Sequence, residues 1–227
     1  MVLLLSAGSA IDLSWAQEHV DAILDTWYPG ARGGKAIAQV LFGEYSPSGK
    51  LPVTFYSNTD GLSEFEDYSM QNRTYRYAKD NILYPFGYGL KYGQVVYSDE
   101  TISGEKSQIL DDVCVSAAVQ NNSDYAIDES VQVYVKYEDA DELAPGFQLM
   151  GMESISLQPG ESKTVNITLP ARAFASITDD GKCVVKPGTY TVTIGGQQPD
   201  DRSKELTNVE VACFKVVKEG NETEVEY

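Results

Sequence analysis

Val131, Val133 and Val135 are apolar at every second position, and the residues between them are polar or aromatic. The alternation returns at Val165, Ile167 and Leu169. An extended chain points successive side chains to opposite faces of a sheet, so this pattern suits a strand with one face on a core. Gln158-Pro-Gly-Glu161 and Lys186-Pro-Gly188 are turn sequences, with proline presetting φ and glycine supplying the left-handed residue. Strands are expected near 94–98, 111–119, 130–137, 149–157, 163–168, 188–195 and 205–217. Short alternating strands with turns at this spacing predict an antiparallel β-sandwich over residues 94–227.

Residues 1–93 follow different rules. Val2 to Leu5 is a short continuous apolar run closed by Gly8, as in a strand buried on both faces of a parallel sheet. No Lys or Arg precedes it, so it lacks the basic region of a secretion signal. A domain that opens on such a strand reads as truncated. Ser14 and Gln17 have capping-box spacing. Ala16, Val20, Ile23, Leu24 and Trp27 then recur at helical intervals, so one helix is expected from Ser14 to Trp27, ended by Tyr28-Pro-Gly30. A second helix is expected from Gly33, with Ile37, Val40 and Leu41 on its apolar face and Gly43 closing it. Leu51 to Tyr56 reads as a strand. The expected organisation is α/β over 1–56, an aromatic-rich linking loop over 57–93 and all-β over 94–227.

The formal charge is −17. Residues 1–93 hold seven Lys/Arg against ten Asp/Glu, and residues 94–227 hold ten against twenty-four. That surface repels phosphate backbones and anionic lipid, so neither nucleic acid nor a membrane is an expected partner. Cys114, Cys183 and Cys213 have no metal-site or disulfide-framework spacing. They read as buried free thiols, with one disulfide among them left open. His19 is the single histidine and reads as an exposed helix residue. Asn72, Asn121, Asn166 and Asn221 each open an Asn-x-Ser/Thr triplet, an acceptor only in a eukaryotic secretory pathway.

The stretch from Trp27 to Tyr56 carries the most specific signal. Gly30-Ala-Arg-Gly-Gly34 before a helix lacks the Gly-Lys-Ser/Thr ending of a phosphate loop. Taken whole, the chain resembles the C-terminal part of family-3 glycoside hydrolases of β-xylosidase and β-glucosidase type. The resemblance rests on Leu5-Ser-Ala-Gly-Ser9, Trp27-Tyr-Pro-Gly30, Leu41-Phe-Gly43, Pro47-Ser-Gly-Lys-Leu-Pro52, Arg73-Thr-Tyr-Arg-Tyr77 and Leu83-Tyr-Pro-Phe-Gly-Tyr-Gly-Leu90. The residues after 94 resemble that family's fibronectin type III-like domain, at Gly146-Phe147, Leu157-Gln-Pro-Gly-Glu-Ser162 and Pro187-Gly-Thr-Tyr190. The implied architecture is the C-terminal remnant of an α/β sandwich domain followed by an immunoglobulin/fibronectin III-like sandwich.

The resemblance implies retaining hydrolysis of terminal β-linked xylose or glucose from small saccharides, with carboxylates and no cofactor or metal. Arg73-Thr-Tyr-Arg-Tyr77 leans toward the xylosidase branch. In the family the nucleophile is an aspartate on an N-terminal barrel, and the acid/base is usually a glutamate upstream of the strand opening this chain. No catalytic residue is therefore expected here. The implied partner is that barrel with the upstream half of the α/β domain, or a self-association covering the open sheet edge. Arg73, Tyr75 and Arg76 are candidates for substrate binding or a domain interface. Glu64 and Glu66 could flank a sugar, but they read as a solvated acidic loop. A reading from another class is a non-catalytic carbohydrate-binding or adhesion module, with the aromatic loop holding glycan.

Overall fold

The computed structural model describes residues 1–60, 62–140 and 144–226. Two hydrophobic cores organise them. The smaller is built on a parallel pair, β1 (Val2–Leu5) and β2 (Ala22–Asp25), in the register Val2 to Ala22 through Leu5 to Asp25. Between them runs α1 (Ser14–His19), and after them α2 (Gly33–Leu41). An antiparallel pair follows, β3 (Phe55–Tyr56) with β4 (Ile82–Tyr84), and α3 (Thr74–Tyr77) lies in the connection. Leu5, Leu13, Ala16, Phe55 and Leu83 are buried together, with Ile23 and Trp27 packed around them.

The expected helix over 14–27 is only six residues long. At Val20 the chain turns extended, and Ala22–Asp25 becomes a strand. The spacing of Val20, Ile23, Leu24 and Trp27 is helical, and the pairing of Ala22–Asp25 with β1 overrides it. The capping box is absent as well. Leu13 holds the N-cap position, the Ser14 amide donates to Asp12 Oδ1 at 2.9 Å, and the Tyr84 hydroxyl donates to Gln17 Oε1. Nor is β1 buried on both faces: Val2 and Leu4 are each nearly half exposed, while Leu5 is buried. A single layer covers one side of this pair. The second helix forms as expected, and Gly43 closes it at φ 75°. Of the strand expected over 51–56, only Phe55 and Tyr56 form one, while Leu51 makes separate backbone bonds to Gly87 and Tyr88.

The larger core lies between two sheets. One is three-stranded, with β7 (Val113–Asn121) flanked by β10 (Ser162–Leu169) and β5 (Val95–Ile102). The other is five-stranded, in the order β6 (Lys106–Gln108), β14 (Ala212–Glu219), β13 (Gly188–Gly195), β8 (Ile127–Tyr137), β9 (Gln148–Leu157). All pairs are antiparallel except β6 with β14. Val113, Val115, Ala117 and Val119 from one sheet meet Val131, Val133, Val192 and Ile194 from the other. The alternation in the sequence is the inward face of these strands. A short third sheet, β11 (Ala175–Ile177), β12 (Cys183–Val185) and β15 (Thr223–Glu224), follows a 3₁₀ turn at Ala171–Phe174.

Where a strand over 205–217 is expected, Asp201–Thr207 instead forms a helix, α4, before β14 begins at Ala212. Asp200 caps it, accepting from the Ser203 amide at 2.9 Å and the Ser203 hydroxyl at 2.7 Å, and Asn208 ends it in the left-handed conformation. A local cap of this kind satisfies the free amides of a first helical turn. All three cysteines are free, and none is fully buried as expected: Cys114 and Cys183 are half-buried and Cys213 is exposed.

Both tryptophans, Trp15 and Trp27, lie in the first part, and Trp27 packs edge-on against Phe55 with ring centroids 6.5 Å apart. Phe55→Ala should cost the small core about 3–5 kcal/mol. The expected result is a lower denaturant midpoint by tryptophan fluorescence, with a smaller shift in far-ultraviolet circular dichroism, which the sandwich dominates. Equal shifts in both would mean that the two cores unfold as one unit.

Candidate functional site at the junction of the two parts

Two of the three residues named as candidates, Tyr75 and Arg76, lie where the first part rests against the outer face of the five-stranded sheet. Tyr75 is half-buried there. Its ring stacks on Phe86 at 4.1 Å between centroids and meets Tyr134 edge-on at 6.5 Å, and its hydroxyl accepts the Leu149 amide at 3.2 Å. The backbone carbonyl of Arg76 accepts the Gly146 amide at 2.6 Å, while its guanidinium is on the exposed side. Arg73 points elsewhere, with Nη2 donating to the carbonyls of Ser63, at 3.4 Å, and Glu64. Tyr75 and Arg76 are thus brought together at the junction, and Arg73 pins the aromatic loop. Glu64 and Glu66 are exposed on that loop.

Sequence reasoning missed the polar floor of the junction. Gln132 and Tyr134 occupy outward positions of β8, which would face water in an isolated sandwich, yet they are 2% and 0% exposed. Gln132 Nε2 donates to the Gly87 carbonyl at 3.2 Å and to the Gly196 carbonyl at 3.3 Å, and the Tyr134 hydroxyl donates to Gln132 Oε1 at 2.5 Å. Gly87 has φ 77°, and a Cβ there would lie 2.5 Å from Gln132 Oε1 and 2.6 Å from the Tyr134 hydroxyl. This close approach is what the Pro-Phe-Gly-Tyr-Gly sequence provides. Arg202 of α4 reaches back to donate from Nε to the Leu83 carbonyl at 3.1 Å.

Beside this floor, Lys91 pairs with Glu129, whose side chain is 1% exposed. The Tyr97 hydroxyl donates to the other carboxylate oxygen at 2.9 Å. Burial, with neighbouring Lys50, pulls the Lys91 ammonium down to about 7. The contact with Glu129 works in the opposite sense, since an adjacent carboxylate favours the charged form. Lys50 donates to the Gly89 carbonyl at 3.2 Å, and burial pulls it down to about 8.

Elsewhere, His19 is exposed as expected and stacks on Trp15 at 4.4 Å. Asn121 is fully buried, and its Nδ2 donates to the carbonyls of Tyr125, Leu157 and Gln158. That geometry closes this triplet to glycosylation in the folded chain. Tyr28 is 78% exposed and Phe42 83%, and both lie in the first part, as do the half-exposed Val2 and Leu4.

Removing Glu129 leaves a buried ammonium without its partner. Glu129→Ala should therefore cost about 3–5 kcal/mol, whereas the double change Lys91→Met/Glu129→Gln should cost clearly less. Chemical denaturation of the two variants checks this, and equal losses would show that the pair is solvated.

Lys50 gives a pH dependence of known sign. Its folded pKa of about 8 lies below the ordinary value of 10.5, so between those pH values the unfolded chain binds the extra proton. Stability should rise with pH across that window, and Lys50→Met should lessen the rise, leaving the share that Lys91 contributes above its own folded value of about 7, while stabilising the chain near pH 7. A flat profile in the parent chain would contradict the burial.

Residues 1–92 match the family model described as the glycosyl hydrolase family 3 C-terminal domain, and residues 129–198 match the fibronectin type III-like domain. A xylan 1,4-beta-xylosidase of Xylanibacter ruminicola is 38% identical over 88% of this chain, which spans 23% of that protein. A periplasmic beta-glucosidase of Salmonella typhimurium is 36% identical over 86% of the chain and 27% of its own length. Among solved structures, a Bifidobacterium adolescentis GH3 beta-glucosidase superposes with a TM-score of 0.79 at 31% identity, over 95% of this chain and 32% of that one. The chain spans about a quarter to a third of the proteins it matches.

Proposed function

The chain belongs to glycosyl hydrolase family 3, and on that premise we propose that it is the structural C-terminal portion of a retaining β-glycosidase that releases terminal β-linked xylose or glucose from small saccharides. Retention needs one carboxylate to attack the anomeric carbon and a second carboxyl group, about 5–5.5 Å away, to protonate the leaving oxygen and later deprotonate water. One of the two must also sit in surroundings that keep it protonated. Glu64 and Glu66, the pair singled out in the sequence, are exposed on a loop, which is a poor setting for that division of roles. In this reading both catalytic carboxyl groups belong to other segments of the enzyme, and the chain alone does not turn over substrate.

The observation that carries the reading is the uneven exposure of the first part. A parallel pair of strands is too small to be self-sufficient. Val2, Leu4, Tyr28 and Phe42 are left exposed around it, as large apolar groups are at an interface rather than on a free surface. The occupant that fits is the remainder of the same enzyme, its barrel and the upstream half of the α/β domain. The sandwich then acts as a buttress, held to that domain through Tyr75, Gln132 and the Lys91–Glu129 pair. The second occupant considered, another copy of the chain, predicts a dimer that added upstream protein does not dissolve.

Aryl β-xyloside and aryl β-glucoside are the test substrates. The purified chain should be silent, with hydrolysis appearing when the upstream portion is supplied. Turnover by the chain alone, lost in Glu64→Gln or Glu66→Gln, would overturn the proposal.

A further inference from the structure

The outer strands of the sandwich differ in how their free edges are protected. β5 carries a bulge between Ser98 and Thr101, with Asp99 at φ 51°, and β6 is three residues long. The start of β9 is held by the first part through the amides of Gly146 and Leu149. Further along β9, the Ser156 carbonyl accepts from Lys163 Nζ at 2.6 Å. β10 has no such device. It is the outer strand of its sheet and pairs with β7 alone, and its eight residues run without a shift of register. Among the described residues, no backbone group of 162–169 bonds outside that pair. A row of unpaired N–H and C=O groups is a template for another strand.

The side chains of β10 select the strand that fits. Val165, Ile167 and Leu169 are buried in the core, while Ser162, Thr164, Asn166 and Thr168 are exposed on the outer face. Ser-Lys-Thr-Val-Asn-Ile-Thr-Leu holds no Pro or Gly and a single charge, a composition that favours pairing at an edge. That charge, Lys163, is engaged by the Ser156 carbonyl and by Glu161 at 3.4 Å. A strand paired antiparallel with its own copy about a two-fold axis matches donors to acceptors along its length. Here the outer face then sets Thr and Asn against one another and no carboxylate opposite a carboxylate, which would be unfavourable. The formal charge of −17 repels a second copy from a distance, and salt screens that field. We propose that β10 is a self-association edge, on which a second copy of this chain pairs antiparallel and joins two three-stranded sheets into one. A contact confined to one strand pair falls below the roughly 1,200 Å² of a stable interface, so the association is weak and follows concentration. It uses no residue of the first part and stands or falls separately from the glycosidase reading.

Sedimentation equilibrium of the full chain over a range of concentration and salt tests it. A reversible monomer–dimer equilibrium is expected, and it should strengthen as salt rises, because screening relieves the repulsion. Asn166→Glu and Thr164→Glu each place like charges beside the axis, twice in a symmetric dimer. Each should weaken the dimer about tenfold while leaving Tm unchanged. Mixing Asn166→Glu with Asn166→Lys should restore association as a mixed dimer. Phe42→Ser should leave the dimer intact, which separates this contact from one made through the exposed apolar groups of the first part. Should Asn166→Glu fail to fold, Thr164→Glu supplies the comparison. A parent chain that stays monomeric at every concentration and salt, a dimer as tight in both glutamate variants as in the parent, or a dimer lost in Phe42→Ser would overturn the proposal.

Discussion

The packing of one short segment, Tyr75 to Lys91, against the outer face of β8 is the contact on which the arrangement of the whole chain depends. It joins two cores that share no buried residue. Most of its strength is directional. An amide at Gln132 bridges two carbonyls, a glycine lets the backbone come within reach of it, a tyrosine hydroxyl completes the amide, and an ion pair sits alongside. Buried polar groups of this kind add little net stability compared with apolar replacements, but each is expensive if left unpaired. The junction therefore resists sliding, because any other register would strand Gln132, Glu129 and Lys91 without partners.

The sandwich was the most legible part of the sequence. Its strands are long and have one apolar face, so Val131, Val133 and Val135 could take no other period, and the strands expected near 111–157 and 163–195 form close to where the alternation placed them. Short segments were less legible, since a spacing carried by four or five apolar residues yields to a tertiary contact. At Val20 to Trp27 the deciding influence is β1, which is distant in sequence. At Asp201–Thr207 a local cap outweighed the strand pattern beyond it.

The junction was hardest to read. Gln132 stands at an outward position of an alternating strand, where polar residues ordinarily meet water, and Glu129 at an inward one in line with Val131, and nothing local says which other part of the chain meets them. Tyr75 carried a signal, an aromatic among arginines, but the signal did not separate a sugar platform from a packing contact. Its stacking on Phe86 and its bond to the Leu149 amide give it a packing role. The charge asymmetry follows the same division. The acidic excess lies on the sandwich, while the exposed large apolar groups Val2, Leu4, Tyr28 and Phe42 lie on the first part, so one side of the chain is suited to water and the other to a protein surface.

The central claim is that the two parts form one body held by this junction. Native-state hydrogen exchange at two amides tests it most directly. Gly146 donates across the junction to the Arg76 carbonyl, and Leu149, on the free edge of β9, donates to the Tyr75 hydroxyl. If the junction holds in the isolated chain, both amides exchange as slowly as those paired between β8 and β13. Exchange of both at the rate of exposed loop amides, with the β8–β13 ladder still protected, would show that the sandwich moves freely against the first part and would contradict the account.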